Sequence, residues 1–325
     1  MKINTKSETF RLKNIVKFLV SFVLMVGPLA WIFFRMNKAR FLDTLIGFPY
    51  HLLSIVILIF LFLYVLQGIR LWVLLRPFVK GLSFRLTMSV HFESLFYSVA
   101  LPGAAQDLLR AALLSKEYDY RQVWSATWIA KLLTLVSFCF FAVPGSFMID
   151  LSLIPPWAYR SAMIMVLVLP LALVFSFSKS VTRNFRPIVR KFLPSRISSI
   201  LEAIRDGIYV YKREPAHLAY VIFLTALMHF LTILNATIII YGIMGEWHFK
   251  EALFFIPVIE MLVISLPFTP NGIGIREGFL SVFFLQFLGK TSEQLGVYVT
   301  ICFLAIVLKV VGFIPVVLKK RRLGF

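Results

Sequence analysis

Seven ionisable side chains stand inside or beside long apolar stretches: Glu93, Asp107, Arg110, Lys131, Glu260, Arg276 and Glu277. Charge at membrane depth is costly, so such residues are candidate binding groups. Mixed signs suit a zwitterionic or phosphate-bearing head group. Arg and Lys hold phosphate, while the acids pair with them or bind an amine. Structural readings stand beside these. Asp107 and Arg110 have the i, i+3 spacing of a local helix pair. Arg276-Glu277 could be a helix-start charge at the interface, and Lys131 could pair with an acid or snorkel. His229 and Asn235 lie in another apolar run, where a helix–helix hydrogen bond is the expected role. No metal-ligand spacing, nucleophile elbow or phosphate loop is present, so no catalytic residue and no cofactor is assigned.

The elements that must position these residues read as transmembrane helices. Hydrophobic residues make up 60% of the 325, charged residues 15%, and mean hydropathy is +0.87. A soluble domain carries about 25% charged residues. Runs at 14–34, 51–75, 157–177 and 216–243 are each long enough to cross a hydrocarbon core, which takes ~20 helical residues. The net charge of +19 would suggest nucleic acid in a soluble chain. Here the basic residues sit at the ends of apolar runs, as topology signals and contacts for anionic lipid, and no nucleic-acid partner is expected. Cys139 and Cys302 both lie in apolar segments, against a disulfide framework. The basic start at 1–17 reads as an uncleaved signal-anchor.

Counting Lys and Arg predicts cytoplasmic termini in a cytoplasmic (inner) membrane. Spans are expected near 15–34, 51–75, 122–143, 157–177, 216–243 and 293–318, ending at the basic tail 319–322. Arg70, Arg76, Lys80 and Arg85 fall to an inner loop. The loop at 35–50, with Arg35, Lys38 and Arg40, falls outside against the rule. The stretch 179–213 has nine Lys/Arg against Glu202 and Asp206. Ile197, Ile200, Leu201, Ile204 and Ile208 share one face there, which predicts a cytoplasmic amphipathic connector.

Two segments are broken. One is apolar over 84–101, interrupted at Pro102-Gly103, and continues as a short helix to Lys116. The other is apolar to Thr269, interrupted at Pro270-Asn271-Gly272, and continues through Gly274, Arg276 and Glu277. Each has an acid (Glu93, Glu260), eight or nine mostly apolar residues, a Pro turn and a charged short helix. They read as re-entrant hairpins, around 84–118 and 251–290, separated by an odd number of spans and so inverted if they share an origin. Chance likeness of two Pro-kinked helices is the other reading. The expected fold is therefore all-α and polytopic, one transmembrane domain of about six full spans plus two re-entrant hairpins, with eight or more short spans as the alternative. Broken helices that meet near the midplane are a recurrent transporter plan, because a broken helix exposes N–H groups to an anion.

The stretch Leu266-Pro-Phe-Thr-Pro-Asn-Gly-Ile-Gly-Ile-Arg-Glu-Gly278 resembles the signature of the lysylphosphatidylglycerol synthase transmembrane region, also called the flippase-like domain family, whose usual form is P-x-T-P-G-G-x-G-x-R-E-G. Asn271 replaces one Gly. Leu101-Pro-Gly-Ala-Ala-Gln-Asp-Leu-Leu-Arg110 resembles the family's P-G-R-x-G-[DE]-x-x-R element at Pro102, Gly103, Asp107 and Arg110. Ala104 and Gln106 depart from it, so one basic contact is missing. Of the family's E-R-x-x-D element, Ala130-Lys131-Leu-Leu-Thr134 keeps only the basic residue. The resemblance implies a stand-alone form, without the aminoacyl-transferase domain some relatives carry. It implies translocation of a phospholipid or lipid-linked sugar or aminoacyl head group. The substrate-binding set is then Glu93, Pro102, Gly103, Asp107, Arg110, Lys131, Glu260, Asn271, Gly272, Gly274, Arg276 and Glu277. The alternatives are a membrane enzyme acting on a polyprenyl- or glycerol-phosphate lipid, or a partner subunit of a glycosyltransferase or synthase. A homo-oligomer is a further possibility.

Overall fold

The structure is a computed structural model describing residues 5–99, 101, 105–150, 214–265 and 269–315, with isolated positions at 156, 159, 160, 163, 164, 211 and 317. Pro102, Gly103, the expected span at 157–177 apart from positions 159, 160, 163 and 164, the connector at 179–213 apart from Tyr211, and the tail at 319–322 lie outside the described residues.

The described chain is helical, with no β-strand. α1 (Thr5–Arg35) and α2 (Lys38–Ile46) meet at a 95° bend. α3 (Tyr50–Leu75), α6 (Tyr120–Phe147), α7 (Pro215–Met244) and the segment Ser292–Pro315 are long and apolar enough to cross a membrane. The bent pair α1–α2 is a fifth candidate. The last segment comprises α10 (Ser292–Leu308) and a 3₁₀ turn, Lys309–Gly312. The polytopic all-α fold agrees with the sequence reading.

The expected outer loop at 35–50 is corrected in part: it folds into α2. Asn37 caps that helix by accepting from the Ala39 and Arg40 N–H groups. Its own N–H donates to Glu293 at the start of α10 (2.7 Å). Arg35 lies over the Trp31 ring (4.8 Å) and Lys38 over Phe33 (5.0 Å), which shelters two of the cations that break the charge rule.

The broken segments are short. α4 (Phe84–Ser98) and α5 (Ala105–Leu114) form the first, and α8 (Phe249–Ser265) and α9 (Ile275–Ser281) the second. α9 continues as a π-helical turn, Val282–Phe287, that sequence periodicity does not reveal. Phe283 of this turn stacks on Phe255 of α8 (4.5 Å). At 1.5 Å per residue, α4 and α5 are each well short of the ~30 Å hydrocarbon core.

Two apolar cores hold the helices. One joins the C-terminal half of α3, α5 and the N-terminal halves of α6 and α7, with Leu74, Leu75, Leu114 and Val221 fully buried. The other joins α8, α9, α10 and the C-terminal halves of α6 and α7, with Phe254, Phe283, Phe284 and Ile240 fully buried. The two broken segments thus pack on opposite halves of the α3–α6–α7 framework. Outward-facing Phe34, Leu58, Phe140, Phe147 and Phe223 remain exposed, as lipid-facing positions are.

Candidate functional site

Between the two cores lies a polar cavity of about 290 Å³. α3 contributes Gln67 and Arg70, α6 Lys131 and Thr134, and α7 His229 and Thr232. The α6 and α7 residues lie about three turns or more from either helix end, and Gln67 and Arg70 lie in the last turns of α3. The broken segments close it, with Gln106, Asp107 and Arg110 from the first and Glu260, Asn271 and Arg276 from the second. Lys309, at the end of α10, completes the lining.

Asp107 is shared between two cations. One oxygen accepts from Arg110 and the other from Lys131 (2.5 Å). So the i, i+3 pair and the Lys131 pairing are parts of one cluster. Arg110 is set by a residue the sequence reading missed, His91 on α4. Its Nδ1 meets an Arg110 nitrogen at 3.1 Å and its Nε2 the Tyr64 carbonyl at 2.9 Å. Guanidinium only donates and a carbonyl only accepts, so Nε2 carries the proton and the ring is neutral. Tyr64 in turn donates to the Ala305 carbonyl, tying α3 to α10.

In the second segment Glu260 receives Arg276 through both oxygens (2.9 and 3.2 Å), a bidentate pair that fixes the guanidinium plane. Arg276 also donates to the Asn271 carbonyl (3.3 Å). A second cavity of about 220 Å³ lies beyond this pair, lined by Tyr64, Asn235, Tyr298 and Cys302. Gln67, Thr232, Glu260 and Arg276 line both spaces, so the ion pair stands at their boundary.

Asn271 joins the two breaks. Its amide nitrogen donates to the Ser98 and Val99 carbonyls at the end of α4 (2.9 and 3.3 Å). Its side-chain oxygen accepts from Lys309 (2.5 Å), which also donates to Ser98 (3.3 Å). The substitution that departs from the family's usual glycine is therefore the cross-link between segments. Its φ of 52° is left-handed, a region Asn tolerates better than most side chains.

Three expected site residues have local roles instead. Glu277 is buried, accepts from the Gly274 N–H (2.5 Å) and lines neither cavity. Gly272 and Gly274 have φ of 72° and 84°, and a Cβ on Gly274 would stand 2.0 Å from the Leu24 carbonyl oxygen of α1. They shape the turn rather than line the cavity. Glu93, on α4, lines neither space.

His229 and Asn235 depart from expectation. His229 stacks on Phe138 (4.0 Å), and its buried Nδ1 has no hydrogen-bond partner among the described residues. Both side-chain polar atoms of Asn235 are likewise buried and unpartnered there. Neither makes the expected helix–helix bond; one lines each cavity. Unpaired polar groups are costly in an apolar interior, and a wet or ligand-filled space accounts for them.

The sequence counts Arg70 among inner-loop charges. The structure instead sets it in the cavity, donating to Thr134 (3.1 Å) and Thr225 (3.5 Å). An arginine one turn above a helix end looks the same in sequence whether it turns outward or inward. Lys309 lies inside the expected span at 293–318 and is a site residue the sequence reading misses.

The model of the family described as "Lysylphosphatidylglycerol synthase TM region" matches residues 14–313. The chain belongs to this family. No curated protein and no solved structure matches the chain. Membership makes it a membrane protein of a family concerned with lipid modification or flipping.

Proposed function

We propose that the protein is a lipid flippase, moving a phospholipid or lipid-linked head group across the cytoplasmic membrane through the cavity between its two broken helices. The observation that carries this reading is the position of the cavity. Charged and polar side chains from the interiors of α3, α6 and α7 meet both helix breaks where an apolar core would otherwise continue. A head group crossing the bilayer needs such a way-station, since burying unpaired charge is prohibitive. The second cavity, across the Glu260–Arg276 pair, extends the polar path. Opening the path requires that pair to part, and a phosphate that replaces Glu260 on Arg276 offsets the loss. The termini face the cytoplasm in this reading, as the basic loops direct.

The test is translocation in proteoliposomes carrying trace phospholipids labelled with a fluorophore on the acyl chain, followed by quenching from outside. The fluorescence lost should exceed the outer-leaflet half in wild-type vesicles and return to half in Arg110→Ala. Chemical turnover of the lipid by the pure protein would contradict the reading and favour a membrane enzyme. Movement that appears only with a co-purifying protein would favour a partner subunit.

A further inference from the structure

The cavity's charges do not balance. Its lining holds five cations, Arg70, Arg110, Lys131, Arg276 and Lys309, against two acids, Asp107 and Glu260. Both acids are engaged: Asp107 by Arg110 and Lys131, and Glu260 through both oxygens by Arg276. Arg70 and Lys309 meet only neutral oxygens among the described residues, from Thr134, Thr225, Ser98 and Asn271. The remaining lining is uncharged, including Gln67, Gln106 and Thr232. Hydroxyl and amide oxygens fix a cation's position but do not cancel its charge.

We infer that the head group carried is a net anion, a phosphate ester without a compensating amine, and that Arg70 and Lys309 supply its counter-charge. This rests on the flippase reading and narrows it. The sequence alone gives the phosphate to Arg110 and Arg276. Each of those two is paired with a carboxylate, Arg110 sharing Asp107 with Lys131, whereas Arg70 and Lys309 make no ion pair with any described acid. The two sit on different elements, α3 and the end of α10, so an anion bridging them also ties the framework to the first break through Ser98. A head group with net positive charge, such as an aminoacylated glycerophosphate, adds to the excess and is disfavoured. One unit of uncompensated charge at several ångströms in a partly wetted site corresponds to roughly tenfold or more in occupancy.

The experiment compares trace acyl-labelled lipids in phosphatidylcholine proteoliposomes: phosphatidylglycerol, phosphatidic acid, phosphatidylcholine and lysylphosphatidylglycerol. The anionic lipids should move roughly tenfold faster than the cationic one. The preference should collapse in Arg70→Gln and Lys309→Met and persist in Arg70→Lys and Lys309→Arg, which separates charge from folding. If all lipids move alike, or the cationic one faster, the inference is wrong and the flippase reading stands. If none moves, the flippase reading fails, and native mass spectrometry of the purified protein decides the pocket. Retention of phosphatidylglycerol over lysylphosphatidylglycerol, lost in Arg70→Gln and Lys309→Met, supports the charge assignment; equal retention overturns it. Displacement of bound lipid by millimolar inorganic phosphate would assign the site to a free anion and overturn the lipid claim.

Discussion

Asp107 sets one negative charge between Arg110 and Lys131, so its loss leaves two cations facing each other with no anion between them. Asp107→Asn should lower stability by about 3 kcal/mol, read from denaturant unfolding in detergent, because removing one partner strands the other charges. Lys131→Met in the same background should recover part of that loss by removing one stranded cation. Asn271 gives a second test. Asn271→Gly keeps the left-handed turn but cuts the bonds to Ser98, Val99 and Lys309. It should cost about 1–2 kcal/mol, and Asn271→Ala about 1 kcal/mol more, since Ala adds left-handed strain. Asp107, Arg110, Lys131, Glu260 and Arg276 were legible in the sequence because charge inside an apolar run has no cheap explanation. His91 was not, since its role depends on a partner from another helix. Arg70 imitates a loop charge.

At the scale of elements, the breaks in the chain were legible from Pro and Gly, while their packing was not. Gly274 shows why, since nothing in the sequence places the Leu24 carbonyl against it. Gly274→Ala combines a clash with a left-handed φ and should destabilise by about 2–5 kcal/mol, measured by thermal unfolding. The α1–α2 bend reads as a loop in the sequence because its anchor is Glu293, far along the chain. The Asn37 N–H donates to the Glu293 carboxylate (2.7 Å), so Glu293→Gln should lower hydrogen-exchange protection over 36–46. Unchanged protection in that variant would show that the bend is held by something else.

Across the whole molecule, composition alone was enough to reveal a membrane protein, and Pro-centred breaks indicated two interrupted helices. What sequence could not supply is that both breaks meet the interiors of the same three helices. Each half of the α3–α6–α7 framework is sealed by its own apolar core, and the polar layer lies between. A phospholipid with a photoreactive diazirine on its head group probes whether that layer meets lipid. After illumination in nanodiscs and peptide mapping, adducts should fall within 67–70, 131–134 and 229–232 and diminish in Arg70→Gln. Adducts confined to helix ends and lipid-facing positions, unchanged by that substitution, would contradict it.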